Sequence, residues 1–215
     1  MSDPDHSMSI GPRGIRRSTL GRHLVALLAF VMVALVASTL VASTEASAAS
    51  PDGAGARFAA QTERAGLNSA QAAALQEKVD GYLAQQGGTQ GSANRIDFPD
   101  GRLIVALPGE EYARDLGASG VQPAGLGQCS YRFFCGWKDA HYKGDFWQRS
   151  KCGVYHEIPD GWNRSGSWWN NQSEGIRAEM FDRDYLMVYR TPPAGPKARD
   201  AEGDWKPIWY VWACG

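Results

Sequence analysis

Six residues in the C-terminal part of the chain could form crosslinks or bind a metal ion. They are Cys129, Cys135, Cys152, Cys214, His141 and His156. The four cysteines contain no Cys-x2-Cys pair, which is the usual unit of a structural zinc site. We therefore predict two disulfide bonds rather than a zinc site, and we expect no metal ion and no cofactor.

The spacing of the cysteines limits how they can pair. If residues 131–137 form an extended strand, Cys129 and Cys135 lie about 20 Å apart along the chain. A disulfide needs Cα atoms within about 7 Å of each other. We therefore predict two non-local disulfides, in which Cys135 bonds either Cys152 or Cys214 and Cys129 bonds the other.

The residue types that support catalysis are present without a catalytic pattern. Ser165 and Ser167 lie in no Gly-x-Ser-x-Gly elbow, which exposes the nucleophile of many hydrolases. His156 lies in an alternating strand pattern, which favours a structural role. Four acidic residues could pair as in a glycosidase: Asp139, Asp145, Glu157 and Asp160. The sequence does not bring any two of them together, and we predict that the protein is not an enzyme.

The N-terminal residues are typical of an export signal. Four arginines precede an uncharged apolar run at 24–42, and Ala46 and Ala48 fit the small-residue rule for signal peptidase. We predict a signal peptide over 1–48, a secreted protein, and no membrane contact after cleavage. The alternative is an uncleaved membrane anchor, because about 20 apolar residues can span a bilayer. The net charge of −1 argues against a nucleic-acid partner bound through bulk charge.

The segment between the signal and the cysteines divides into three parts. We predict that residues 49–66 are disordered, because they are rich in Ala and Gly. We predict a helix plus a β-hairpin over 67–116, with Asn68 as the helix cap and Pro99-Asp100-Gly101 as the turn. This segment either docks on the C-terminal domain, acts as a pro-segment, or orders only with a partner. Residues 117–128 are predicted to form a flexible linker.

Residues 129–215 contain about seven short runs of aromatic and β-branched residues, separated by Gly, Pro, Asn and Asp. This pattern predicts a mainly β domain, a small antiparallel sandwich of Greek keys. The core of so small a domain is marginal, and we expect large aromatic side chains and crosslinks to stabilise it.

One motif within this domain is more specific. Trp137 is followed by Tyr142 and Gly144 at the spacing of a folded hairpin, and Ser167 ends a later loop that begins at Trp162. This pattern resembles the Greek-key signature of βγ-crystallins. Together with the cysteine positions, it is most similar to the actinobacterial secreted peptidase inhibitors of crystallin-like fold, whose best-known member inhibits metalloproteinases. The resemblance implies that Ser167 tethers the folded hairpin.

Many crystallin-like domains bind calcium, but the loop at 162–167 departs from their pattern. Trp162 and Gly166 stand where the family has oxygen ligands, and Arg164 adds a positive charge. We therefore predict no calcium site.

The resemblance implies inhibition of an extracellular peptidase, which would be the partner of the protein. We predict that a stiff surface loop over 191–204 acts as the inhibitory element, because it contains three prolines: Pro192, Pro193 and Pro196. The alternative function is a secreted module that binds glycan or the cell surface through exposed tryptophans. In that alternative Trp168, Trp169, Trp205, Trp209 and Trp212 are the candidate residues.

Overall fold

The structure is a computed structural model that describes residues 52–120, 122 and 124–215. The predicted signal peptide, with its cleavage site, lies outside the described residues. The described part of the chain contains two helices and eleven strands. They are α1 Asp52–Arg64, α2 Ser69–Gln86, β1 Thr89–Ser92, β2 Arg95–Phe98, β3 Gly101–Ile104, β4 Phe133–Asp139, β5 Lys143–Arg149, β6 Tyr155–Glu157, β7 Ser165–Asn171, β8 Glu179–Phe181, β9 Met187–Arg190, β10 Arg199–Asp204 and β11 Tyr210–Trp212.

The strands form two antiparallel sheets, which confirms the mainly β prediction. The larger sheet has the order β1-β2-β3-β5-β4-β7-β10, and the smaller has the order β6-β11-β8-β9. Each of the seven strands predicted in 129–215 has an observed counterpart. Strand β6 follows β5 in sequence but belongs to the other sheet, and β7 then returns to pair with β4.

One buried hydrophobic cluster joins side chains from both sheets and from α2. Aromatic residues make up much of its volume, as expected for a small core. Its largest fully buried members include Trp147, Trp205 and Phe134, and Val211 of β11 is also fully buried. The rings of Phe134 and Trp168 stack with centroids 6.3 Å apart.

The predicted helix and hairpin are part of the same fold as the C-terminal strands. Asn68 caps helix α2, as predicted, and accepts from the N–H of Gln71 in a capping box; Gly87 follows the last helical residue. Strand β3 pairs with β5 along four residues. In this structure the segment is therefore docked on the C-terminal strands.

Two of the predicted boundaries differ from the structure. The segment predicted as disordered, 49–66, contains helix α1, and Phe58 of this helix is buried. The helix forms because alanine-rich sequence favours a helix once a partner surface is available. The predicted linker, 117–128, ends in a 3-10 turn over Gly125–Gln128. Leu126 packs against the outer face of the larger sheet, and the buried Gln128 side chain accepts a hydrogen bond from Trp137 Nε1 at 3.3 Å.

Both predicted disulfides form, but their pairing differs from the prediction. Cys129 bonds Cys135, and Cys152 bonds Cys214, with Cα separations of 5.8 and 5.1 Å. The prediction of two non-local bonds is wrong because the chain is not extended from residue 131. Arg132 has a φ of +76°, and the N–H of Phe133 donates back to the carbonyl of Ser130. This turn brings Cys129 close to Cys135.

Candidate protein-binding surface

The loop predicted to inhibit a peptidase lies against the protein along most of its length. Its three prolines are exposed: Pro192, Pro193 and Pro196. The N–H of Ala194 donates to the carbonyl of Ile176 at 2.7 Å, and the Gly195 carbonyl accepts from Trp169 Nε1 at 3.1 Å. Residues Arg199–Asp204, predicted as the rest of the loop, form strand β10 and pair with β7. Only the proline-containing half of the predicted segment is therefore a loop.

The residues of the Greek-key motif come together around one folded hairpin. The rings of Trp137 and Tyr142 meet edge to face with centroids 5.1 Å apart. Gly144 has a φ of +75°, and a Cβ there would lie 2.4 Å from a carboxylate oxygen of Asp139. Ser167 Oγ accepts from the N–H of Tyr142 and donates to the carbonyl of Asp139, both at 2.9 Å. These contacts are the tether that the resemblance implies.

The loop at 162–167 is filled by aromatic side chains. Trp162 is buried and packs on Trp205 with ring centroids 5.7 Å apart. A Cβ at Gly166 would lie 2.0 Å from the indole Nε1 of Trp205, so only glycine fits there. The residues that replace the calcium ligands of the family therefore have a packing role. Among the described residues, no group of three or more His, Cys, Asp and Glu could hold a metal ion.

The candidate catalytic residues have structural contacts. Asp145 is fully buried, and its carboxylate accepts from Lys78, Tyr82 and the backbone N–H of Ala106. His156 is also buried, and burial lowers its pKa. Its Nε2 lies 2.8 Å from the carbonyl of Lys151. These contacts give Asp145 and His156 roles in the fold.

The tryptophans are mostly core residues. Five of the eight are buried: Trp137, Trp147, Trp162, Trp168 and Trp205. Trp169 and Trp212 are half-buried, and Trp209 is 43% exposed. Trp205 was one of the candidates for glycan binding, but its Nε1 donates to the carbonyl of Trp137 inside the protein. The residues predicted for an aromatic platform therefore do not form a continuous exposed row.

A run of exposed apolar side chains occurs instead on the hairpin of β8 and β9. Five consecutive large side chains, Tyr185 to Tyr189, are each between 43% and 65% exposed, and Tyr155 of β6 lies beside them at 43%. We call these six residues the hairpin surface: Tyr155, Tyr185, Leu186, Met187, Val188 and Tyr189. Several large apolar side chains exposed on one hairpin indicate an interaction site.

Ring contacts hold this surface in place. Tyr155 lies 5.0 Å from Tyr185 and 4.8 Å from Trp212, between ring centroids, in both cases close to edge to face. Tyr185 stacks on Tyr210 at 4.6 Å with an angle of 9° between the rings. Contact between these side chains limits their rotamer freedom, which lowers the entropy lost on binding.

Backbone contacts fix the turn of the hairpin. The Asp182 carboxylate accepts from the N–H groups of Asp184 and Leu186, both at 2.9 Å, and the N–H of Asp182 donates to the carbonyl of Leu186 at 3.0 Å. The exposed run therefore begins from a closed turn rather than from a free loop.

Strand β9 also has an unpaired backbone edge. It stands at the end of the order β6-β11-β8-β9 and pairs with β8 alone among the strands of the described residues. Strand β10, which is an edge strand of the larger sheet, is different, because it carries Arg199, Asp200, Glu202 and Asp204. Charges on an edge strand oppose pairing with another chain. Three of the four residues of β9, Met187–Val188–Tyr189, carry no charge, and the fourth, Arg190, pairs with Glu179 of β8. Strand β9 therefore has less of this protection than β10.

The electrostatics of the hairpin surface favour burial against a partner. None of its six residues is charged, and the nearest ion pair on β9 joins Arg190 to Glu179. A hydrogen bond with Tyr185 raises the pKa of Tyr210, and desolvation raises it further by a smaller amount. The phenol of Tyr210 is therefore neutral at physiological pH, and the hairpin surface contains no Asp, Glu, Lys or Arg that would have to be desolvated when it is covered.

Comparison of this chain with family profiles, with curated proteins and with solved structures gives no match in any of the three. Of the described helices, neither is both long and apolar enough to cross a membrane.

Proposed function

We propose that this protein is a secreted inhibitor of an extracellular peptidase and that it binds the peptidase through the hairpin surface. The observation that carries the proposal is the exposed run from Tyr185 to Tyr189 on an unpaired edge strand. Endopeptidases bind their substrates in extended form, and an edge strand offers both backbone groups and alternate side chains to such a cleft.

The composition of the surface supports binding to a protein. Tyrosine and methionine are enriched in the buried centres of protein interfaces, and tyrosine often dominates their binding energy. Tyr155, Tyr185 and Tyr189 supply large contact areas from side chains with only two rotatable angles. The ring contacts of Tyr155 and Tyr185 order these side chains before binding, which an inhibitor requires.

A crystallin-like fold is part of the proposal, and its support is the strand arrangement. Strands β4, β5 and β7 lie in the larger sheet with β10, while β8, β9 and β11 lie in the smaller sheet with β6. Strands β4 to β7 and strands β8 to β11 are two consecutive sets of four. Each set has three strands in one sheet and one strand in the other, as expected for two interlocked Greek keys. The Ser167 tether on the folded hairpin agrees with this assignment.

Secretion is supported by two independent features. The N-terminal residues carry the arginines, apolar run and Ala46-x-Ala48 site of an export signal. All four cysteines form disulfides, which are typical of proteins exposed to an oxidising environment.

Titration of peptidases with residues 49–215 tests the proposal. A thermolysin-like and a subtilisin-like enzyme are assayed with the wild-type protein, Leu186→Asp and Pro193→Asp. Both substitutions place one carboxylate on an exposed site, the first on the hairpin surface and the second on the loop predicted from the sequence. We expect the wild type and Pro193→Asp to inhibit equally and Leu186→Asp to weaken inhibition about 100-fold.

Two results would contradict the proposal. If a large molar excess of the wild-type protein leaves both enzymes fully active, the inhibitor function is wrong. If Pro193→Asp abolishes inhibition and Leu186→Asp does not, the inhibitory element is the loop at 191–198 instead of the hairpin surface.

A further inference from the structure

The one tryptophan that is exposed, among the described residues, lies at the edge of a shallow cavity. Trp209 lines an open cavity of about 200 Å³ together with the loop between β6 and β7 and the residues before β11. The polar residues of this cavity are Gln85, Glu157, Asp160, Asn163 and Lys206. None of the hairpin-surface residues lines it.

The cavity is formed before any ligand arrives, because its walls are held by hydrogen bonds. Gln85 of α2 donates to the carbonyl of Ile158 at 3.1 Å and accepts from the N–H of Asp160 at 2.7 Å. The backbone of Trp209 donates to Phe181 at 2.8 Å and accepts from Ile158 at 2.9 Å. The backbone that bears the indole is therefore held in place, and binding costs little conformational entropy of the backbone.

The polar side chains around the indole are free to bind a ligand. Asp160, Asn163 and Lys206 are exposed. The hydrogen bonds of Asp160 and Lys206 within the described part of the chain involve their backbone N–H groups, and no ion pair there engages either side chain. A carboxylate, an amide and an ammonium group supply both donors and acceptors at one site.

We propose that this cavity, which we call the Trp209 cavity, binds a sugar ring of a neutral glycan. The apolar C–H face of a pyranose packs on an exposed indole ring, while its hydroxyl groups, each a donor and an acceptor, need polar partners on the rim. Trp209 supplies the indole ring, and the polar partners are the side chains of Asp160, Asn163 and Lys206. The cavity is lined by two carboxylates, those of Glu157 and Asp160, and by one ammonium group, that of Lys206, and this excess of negative charge disfavours an acidic sugar.

This inference is independent of the inhibitor proposal, since it involves different residues and a different ligand. A glycan site would hold the secreted protein on a cell wall or a polysaccharide, while the hairpin surface contacts a peptidase. An experiment can therefore contradict the glycan site without contradicting the inhibitor proposal, and the reverse.

Titration of residues 49–215 with four hexasaccharides tests the inference. The neutral probes are hexamers of β-1,4-linked N-acetylglucosamine, β-1,4-glucose and β-1,3-glucose, and hexagalacturonate is the acidic probe. We expect saturable binding of at least one neutral hexamer, with a change in tryptophan fluorescence, and no binding of the acidic one. Trp209→Ala should weaken binding at least about ten-fold. Tyr131→Ala, which removes an aromatic ring that is 64% exposed and outside the cavity, should bind like the wild type.

The inference is wrong if no neutral hexamer binds saturably, or if Trp209→Ala binds as well as the wild type. It is equally wrong if Trp209→Ala and Tyr131→Ala lose affinity to the same degree, since stacking would then not be specific to the Trp209 cavity. Leu186→Asp should keep its glycan affinity, which separates this result from the peptidase assay. Circular dichroism of each variant checks that the fold is retained.

Discussion

The phenolic hydroxyl of Tyr82 donates a 2.8 Å hydrogen bond to Oδ2 of Asp145, and this bond joins helix α2 to strand β5 inside the protein. The other oxygen of Asp145 accepts from Lys78 at 2.8 Å and from the N–H of Ala106 at 2.9 Å. Trp162 Nε1 lies 3.3 Å from the hydroxyl of Tyr82. Burial and the Asp145 carboxylate raise the pKa of Tyr82, so the hydroxyl remains a donor.

This network predicts a large effect of removing the carboxylate. Asp145→Ala should lower the free energy of unfolding by about 3 kcal/mol, because it leaves the buried Tyr82 hydroxyl and the Ala106 N–H without their acceptor. Urea unfolding measures the difference. Asp184→Ala, at an exposed carboxylate on the hairpin turn, is the matched control and should stay within about 0.5 kcal/mol of the wild type. Equal stability of the two variants would contradict the role of Asp145.

The same network predicts that the C-terminal strands do not fold alone. A fragment of residues 129–215 lacks Tyr82 and Lys78, which pair with Asp145, and lacks β3, which pairs with β5. We expect this fragment to give no cooperative unfolding transition, whereas residues 49–215 should unfold cooperatively. A folded fragment would mean that the segment before residue 117 is a removable pro-segment.

The tether at Ser167 can be tested by a pair of serines on one strand. Ser167→Ala should destabilise the protein by about 2 kcal/mol, because the N–H of Tyr142 and the carbonyl of Asp139 lose their shared partner. Ser165→Ala, on the exposed start of β7, should have little effect. If the two variants unfold at the same urea concentration, Ser167 does not tether the hairpin.

The two disulfides should contribute unequally to stability. Cys152–Cys214 closes a loop between residues 62 apart, while Cys129 and Cys135 are only 6 apart. Loop-closure entropy predicts that replacing the first pair by alanine costs about 4 kcal/mol and the second about 2 kcal/mol. Urea unfolding of the two double variants measures this difference. Non-reducing peptide mapping that links Cys135 to Cys152 or Cys214 would contradict the observed pairing.

The stability should depend on pH through His156. Burial is the largest influence on the pKa of His156 and lowers it, and the positive charges of Arg149 and Lys151 lower it further. The hydrogen bond to the Lys151 carbonyl and the negative charge of Asp100 raise it, but their effect is smaller. The unfolded state therefore binds more protons than the folded state as the pH falls below 6.5, the ordinary pKa of the imidazole. Stability is fully retained above that pH and declines below it.

The direction of this stability change is tested by measuring the free energy of unfolding between pH 7.5 and 5.5, about one unit on either side of the ordinary pKa of histidine. We expect a decrease for the wild type and a smaller slope for His156→Gln. His141→Gln, at an exposed histidine, should keep the wild-type slope. A wild type that becomes more stable as the pH falls would contradict the assignment.

Much of the local structure could be predicted from the sequence, because it depends on local patterns. The helix cap at Asn68 and the turn at Pro99-Asp100-Gly101 follow from residue type and spacing. Strand β10 was missed, because it consists largely of charged residues, and only its pairing with β7 makes it a strand. The turn at Arg132 was missed because a positive φ at a non-glycine residue leaves no sequence signal.

The hairpin surface could be predicted only in part. About seven short strands were predicted in residues 129–215, and β9 is one of the strands observed there. The sequence alone does not tell whether an apolar strand is central or at an edge, because this depends on pairing with distant segments. The run Leu186-Met187-Val188-Tyr189 has the composition of a buried strand, and its exposure is evident only from the order of the smaller sheet.

Hydrogen–deuterium exchange of an inhibited peptidase complex tests the central claim most directly. If β9 docks as an added strand, its backbone N–H groups on the unpaired edge gain hydrogen bonds to the peptidase. We expect slower exchange for amides in residues 185–190 on complex formation and unchanged exchange in residues 194–198. Slower exchange confined to residues 194–198, with residues 185–190 unchanged, would contradict the claim.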